Sequence, residues 1–201
     1  MMLKEEFTDR VPPAEIYLHK VIPMGAGMGG GSADGAFMLR LVNNTFKLGL
    51  SDESLAERAL QLGSDCPFFI YNSPQYARGR GELMEPVEVD LSGYTLHIVC
   101  PDVHVSTKEA FGMIQPKKAP VDLKQIGSMP VGEWKGVIYN DFEANVFKAH
   151  PVLADIKQQL YDSGAVYASM SGSGSAIYGV YPKGSRGKVV AAVGFKEFFV
   201  G

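Results

Sequence analysis

Six glycines fall between Gly25 and Gly35, three of them consecutive at Gly29, Gly30 and Gly31. Each glycine inside a regular helix or strand costs roughly 0.5–1 kcal/mol relative to alanine, so such a cluster belongs to a loop. Its flanks say which kind. Residues 15–22 (EIYLHKVI) alternate through Ile16 and Leu18 and read as a strand. Residues 33–46 space Phe37, Leu41 and Thr45 by four, with Met38 and Val42 beside them, and read as a helix. Backbone amides at a helix N-terminus form an anion site, and glycines let the chain approach phosphate oxygens without Cβ clashes. The stretch is expected to be a phosphate loop.

Several familiar phosphate loops are excluded. A Walker A loop needs Gly-Lys-Ser/Thr, and no lysine follows these glycines. A dinucleotide fingerprint can be drawn through Gly25, Gly27 and Gly30, but the acid it requires about 20 residues on would fall in the turn 47–50. The HRD and DFG signatures of protein kinases are absent from the sequence.

The rest of the chain is an ordinary mixture. Leu3, Phe7 and Val11 mark one face of an uncapped helix that Pro12 and Pro13 end. A helix over 52–62 has Ser51 as its cap, and Gly63 stops it. Residues 66–71 read as a buried strand, 76–82 as a strand broken by glycines, and 94–100 as a strand. Short helices are expected over 107–114, from 139–143 to the residue before Pro151, and over 151–163. A hairpin is expected around Ser171, Gly172, Ser173 and Gly174, and residues 188–198 fit helix and strand equally. The class is α+β in two lobes, 1–90 and 91–201, with the polar stretch 85–92 between them.

Composition narrows the function classes. Nineteen basic against 22 acidic residues give a net charge of −3, with no electrostatic pull toward nucleic acid or an anionic membrane. No apolar run reaches the roughly 18 residues needed to span a bilayer, and the acidic start MMLKEEFTDR is unlike a signal peptide. Two cysteines, Cys66 and Cys100, make neither a disulfide framework nor a zinc site. His19, His97, His104 and His150 are scattered without triad or metal spacing. The expectation is a cytoplasmic enzyme or nucleotide binder. Asp65 is the candidate for chemistry: transfer of a γ-phosphoryl to an alcohol needs a carboxylate to orient or deprotonate the hydroxyl. Lying between Gly63 and Pro67, it also fits a turn aspartate that bonds its own backbone.

Four segments in order resemble the GHMP small-molecule kinases, the superfamily of galactokinase, homoserine kinase, mevalonate kinase and phosphomevalonate kinase. The loop Pro23-Met24-Gly25-Ala26-Gly27-Met28-Gly29-Gly30-Gly31-Ser32 is similar to their second motif, and its three consecutive glycines are most like the branch of 4-diphosphocytidyl-2-C-methyl-D-erythritol kinases. LGSDCPFF (62–69) resembles the segment carrying that branch's catalytic aspartate. ARGRGE (77–82) resembles the strand after it, and SMSGSGS (169–175) the C-terminal glycine motif; NDFE (140–143) also fits. The resemblance implies a ribosomal-protein-S5-domain-2-like first lobe, here partial, and a ferredoxin-like second lobe. It implies ATP on residues 23–32 and Ala33, closed over by Ser171, Gly172, Ser173 and Gly174. Asp65 would be the base for the acceptor's 2-hydroxyl in the non-mevalonate isoprenoid route. Phe111 would stack on cytosine, with core packing as the alternative, and Thr107 would touch substrate. Ser32 would meet Mg²⁺ or phosphate as well as, or instead of, capping the helix. Asp34 reads as a first-turn acid and Lys20 as a solvated lysine beside adenine.

Two departures stand out. The branch has a second small hydroxyl where this chain has Ala33, and a Pro-x-Lys-x-Asn-Leu motif that this sequence lacks. The expectation is an N-terminal truncation that leaves a sheet edge open to a second copy and lowers or removes activity. Another GHMP kinase, of the mevalonate or homoserine type, and a non-catalytic nucleotide-binding remnant are the alternatives.

Overall fold

The computed structural model describes residues 2–114 and 117–201. Two compact units emerge, one holding Gly29–Val87 with the residues up to Ile22, the other Glu88–Gly201 with Pro23–Met28. The chain therefore changes unit after Ile22, after Met28 and after Val87.

The first unit is built from α1 (Met2–Glu6), α2 (Gly30–Thr45), α3 (Asp52–Leu62), α4 (Cys66–Tyr71) and a hairpin of β1 (Gln75–Arg78) with β2 (Leu83–Pro86). Leu3, Val11, Ala36, Leu39, Leu55, Ala59 and Ile70 form its core. The Ser51 hydroxyl accepts from the Ser54 amide at 3.2 Å and starts α3 as the sequence suggests. The Arg10 guanidinium donates to the carbonyls of Phe46, Lys47 and Leu48, supplying partners where α2 runs out of amides.

Three expectations change here. Residues 66–71 form a helix rather than a strand. Pro67 sits in the first turn, where its fixed φ and missing N–H are harmless, and buried Cys66, Pro67 and Ile70 fall on one helical face. Residues 76–82 are not one strand but part of β1 and the turn to β2, reversed at Gly79 and Gly81 with φ +71° and +109°. Most consequentially, among the described residues no strand pairs with 15–22 and none forms there; Ile16 and Leu18 stay 54% and 62% exposed.

The second unit holds β3 (Tyr94–Pro101), α5 (Thr107–Met113), α6 (Glu143–Ala149), α7 (Pro151–Asp162), β4 (Tyr167–Met170), β5 (Ile177–Pro182) and β6 (Phe195–Val200). Its sheet runs β4-β5-β3-β6, antiparallel throughout, with Ile98 opposite both Tyr178 and Phe198. That strand order and the helical crossover from β3 to β4 are those of a ferredoxin-like split βαβ sheet, as expected. Leu153, Ile156 and Leu160 of α7 are fully buried with Val99, Ala168 and Ile177. Trp134 packs edge-on against Tyr167 on the sheet's other face, 5.5 Å between rings, so β4 is covered on both sides. Of the ambiguous stretch 188–198, residues 188–194 form neither helix nor strand, and from Phe195 it enters the edge strand β6.

His97 is fully buried, stacked on Phe199 at 4.4 Å, with Nε2 3.1 Å from the Glu197 carboxylate and Nδ1 unpaired. Burial pulls its pKa below the ordinary 6.5, partly offset by the Glu197 charge. Among the described residues no helix is long and apolar enough to cross a membrane.

Candidate active site

The glycine loop divides between the units, Pro23–Met28 in the second and Gly29 onward in the first. In the second unit, Gly25 and Gly27 adopt left-handed φ of +71° and +76°, and Gly29 continues the alternation at +64°. Left-handed conformations at every second residue turn successive amides to one side of the chain, the geometry of an anion nest. Gly27 has no room for a side chain: a Cβ there would overlap the Ser171 carbonyl oxygen and stand 3.0 Å from that of Gly174. The two glycine segments are laced together. The Ser171 hydroxyl donates to the Gly27 carbonyl at 2.8 Å, and the Ala176 amide donates to the Ala26 carbonyl at 3.0 Å. Ala26 is buried with Ala176 and Cys100, and Met28 packs beside them with its sulfur 3.8 Å from Cys100 Sγ.

The second glycine segment is the β4–β5 turn, as the sequence indicates. Gly172 and Gly174 take φ +54° and +94°. The Ser173 hydroxyl reaches Thr107 Oγ1 at 3.4 Å at the start of α5. Phe111 on α5 meets Phe142 edge-to-face at 4.9 Å yet remains 61% exposed, so it is not a core residue.

Two groups that sequence reasoning left without a role hold this turn. The Asn140 carboxamide donates to the carbonyls of Met170 (2.8 Å) and Gly172 (2.7 Å). Glu143 accepts from the Met170 amide (2.8 Å) and the Ser169 hydroxyl (3.1 Å), and pairs with Lys157 at 2.5 Å. Their spacing in NDFE was visible, but only the fold shows that the segment returns to the end of β4.

In the first unit, α2 begins three residues earlier than its apolar period suggests. Gly29 is the N-cap, and Ala33 N–H to Gly29 O at 2.9 Å is its first turn's bond. A Cβ on Gly29 would press into the Phe69 ring. Ser32 is therefore the third helical residue and not the cap, and its hydroxyl lies near enough to the Cys66 thiol to affect its protonation. Burial pushes the Cys66 pKa up and the Asp65 charge adds to it, against a lowering from Ser32, so the thiol stays protonated. Asp34 lies beyond the first turn and pairs with Lys20, which is thus not a free solvated lysine.

Asp65 occupies the N-cap position of α4 without using its side chain as a cap. It is exposed, and its Oδ1 lies 3.1 Å from where a Gly81 Cβ would stand, so the bare backbone of the β1–β2 turn leaves room for the carboxylate. The self-bonding turn aspartate is not what the structure builds. The first unit thus brings Gly29, Gly30, Gly31, Ser32, Ala33 and Asp65 to the starts of two neighbouring helices, and the second brings Pro23, Met24, Gly25, Ala26, Gly27 and Met28 to the Ser171–Gly174 turn.

A nested glycine loop leading into a helix, a ferredoxin-like sheet with a second glycine turn, and an uncommitted aspartate define a class. Residues 1–73 match the GHMP kinases N terminal domain and residues 129–198 the GHMP kinases C terminal domain. The chain belongs to the GHMP kinases. Within them it is 52% identical over 181 residues to a 4-diphosphocytidyl-2-C-methyl-D-erythritol kinase of Bacteroides fragilis, covering 90% of this chain and 65% of that protein. It is 50% identical over 186 residues to the kinase of the same name from Bacteroides thetaiotaomicron, covering 92% and 67%. A crystal structure of 4-(cytidine 5'-diphospho)-2C-methyl-D-erythritol kinase superposes with a TM-score of 0.66 at 28% identity, over 80% of this chain and 59% of that one. The chain thus spans about two thirds or less of the length of these relatives.

Proposed function

We propose that this chain carries the nucleotide site and the base of a kinase that moves the γ-phosphoryl of ATP to the 2-hydroxyl of 4-diphosphocytidyl-2-C-methyl-D-erythritol. In this reading residues 1–90 are the partial ATP lobe and 91–201 the second lobe. The observation that carries it is the laced pair of glycine segments, in which Gly27 tolerates no side chain because the Ser171 turn lies against it. Relatives about half identical bear the name of this kinase, which supports this acceptor class.

The chemistry follows from the groups present. Nest amides of 23–28 and the amides opening α2 would take phosphate oxygens, whose negative charge the helix N-terminus favours. The Asp65 carboxylate, free of capping duty, would take the proton of the acceptor's 2-hydroxyl as its oxygen bonds to phosphorus and the bond to ADP breaks. Phe111 offers an open ring to the cytosine, with Thr107 at the same helix start. For Mg²⁺ the chain offers the Ser32 hydroxyl, an oxygen ligand of the kind this ion takes; when bound, the ion neutralises charge on the phosphates. No second hydroxyl follows, because the next residue is Ala33.

The test is ADP release with Mg·ATP against four acceptors: the diphosphocytidyl compound, mevalonate, homoserine and galactose. Turnover on the first alone is expected. Asp65→Asn should lower it by about 10²–10⁴. Near-normal turnover in that variant removes Asp65 from the role of base, and ATP binding with no turnover on any acceptor favours a non-catalytic nucleotide binder.

A further inference from the structure

Asn140 precedes α6 and uses both ends of its carboxamide. Nδ2 donates to two carbonyls, Met170 and Gly172, and Oδ1 accepts from the Phe142 amide at 2.9 Å. Two carbonyls separated by one residue can meet a single amide group only if the chain curls between them, so this contact specifies the start of the Ser171–Gly174 turn. Glu143 holds the Met170 amide from the same segment, leaving the residue that enters the turn fixed at both its amide and its carbonyl. That turn in turn presents Ser171 to Gly27. On the other side, the Phe142 ring whose backbone Asn140 binds is the one that backs Phe111.

We infer that Asn140 is a positioning residue serving two subsites: through Nδ2 it sets the turn against the nucleotide loop, and through Oδ1 and Phe142 it sets the aromatic shelf under Phe111. This rests on the proposed reading of those subsites and adds that one carboxamide aligns both. It touches neither ligand itself. It acts by keeping the turn and the shelf in the geometry each ligand would otherwise have to impose at the expense of its own affinity.

The two ends are separable. Asn140→Asp keeps an oxygen for the Phe142 amide but turns the other end into an acceptor facing two carbonyls. Asn140→Ala removes both ends. The full chain and both variants are titrated calorimetrically with Mg·ATP and, separately, with 4-diphosphocytidyl-2-C-methyl-D-erythritol, with thermal unfolding followed in parallel. Losing one or two hydrogen bonds that hold a turn should weaken ATP by about tenfold in Asn140→Asp, with a clearly smaller loss of acceptor affinity, carried only through the long Ser173–Thr107 contact. Asn140→Ala should weaken both ligands.

Unchanged ATP affinity in Asn140→Ala overturns the inference, because a loss confined to Asn140→Asp would then reflect only its added charge. Equal loss of both ligands in Asn140→Asp also overturns it, since a purely structural role moves both together. If either variant fails to fold, Asn140→Ser carries the same ATP criterion with a shorter donor. An unmodified chain that binds no ATP removes the proposed function and this inference with it, a result distinct from binding that the variants leave intact.

Discussion

Two stretches that read as strands in the sequence meet opposite fates. Tyr167–Met170 is buried on both faces, under α7 on one side and Trp134 on the other, and pairs with β5 in full register. Residues 15–22 carry an equally strand-like pattern and lie exposed with no ladder among the described residues. Alternation tells a chain which side chains would share a face, but a strand exists only when a neighbour takes its backbone hydrogen bonds. The comparison separates what the local sequence encodes from what a partner must supply.

The largest expected contrast comes from truncating one leucine on each side. Leu160→Ala, in the fully buried row of α7, should cost about 2–5 kcal/mol of stability. Leu18→Ala should stay within about 0.5 kcal/mol. Urea unfolding checks both, followed for Leu160 by fluorescence of Trp134, the single tryptophan and a member of the same unit, and for Leu18 by circular dichroism. A loss of several kcal/mol for Leu18→Ala would mean that residues 15–22 are covered in solution.

Within the glycine loop the same contrast sharpens. Gly25 and Gly27 share a left-handed φ, so alanine at either carries about 1–2 kcal/mol of backbone strain. Gly25 has open space around it and Gly27 has none. Gly27→Ala should abolish measurable ATP binding, whereas Gly25→Ala should only weaken it; equal effects would mean that the Ser171 turn does not matter to the loop. A smaller effect is expected at α3, where Ser51→Ala removes the cap and should lower stability by about 1 kcal/mol in thermal unfolding.

The smallest effect is one of pH. Burial holds the folded His97 pKa below 6.5, so the unfolded chain takes up this proton first as pH falls. Its contribution is fully present above pH 6.5 and declines below it, toward the folded value. Glu197 opposes the shift, and Arg186 stands over the neighbouring Phe199 ring. His97→Gln should flatten the fall in melting temperature between neutral and mildly acidic pH; an unchanged slope would assign the fall to other groups.

Much of the site was legible because its signals are local. Glycine spacing marked both turns, Ser51 and Gly63 bounded α3, and the span of α7 was visible behind Pro151, although its buried face was not. Residues 66–71 were misread because six apolar residues fit either period, and the proline that decides the matter acts only at a helix start. Ser32 looked like a cap because hydroxyls usually are, yet a left-handed glycine three residues earlier took that place. Asn140 and Glu143 escaped assignment because their partners lie about thirty residues away, at a strand end no local pattern can reach.

The lacing of Gly27 to Ser171 joins residues 144 apart in sequence. On the ribosome, the loop emerges first and its counterpart last. At about 5–20 residues per second, the glycines of the first segment would wait roughly 7 to 29 seconds before the turn that orders them exists. Residues 88–201 alone lack the two carbonyls that Ser171 and Ala176 bond, so a contiguous C-terminal fragment is not a complete folding unit. The segment that binds phosphate in this proposal is thus also a timing element, the earliest-made piece of the unit that finishes last.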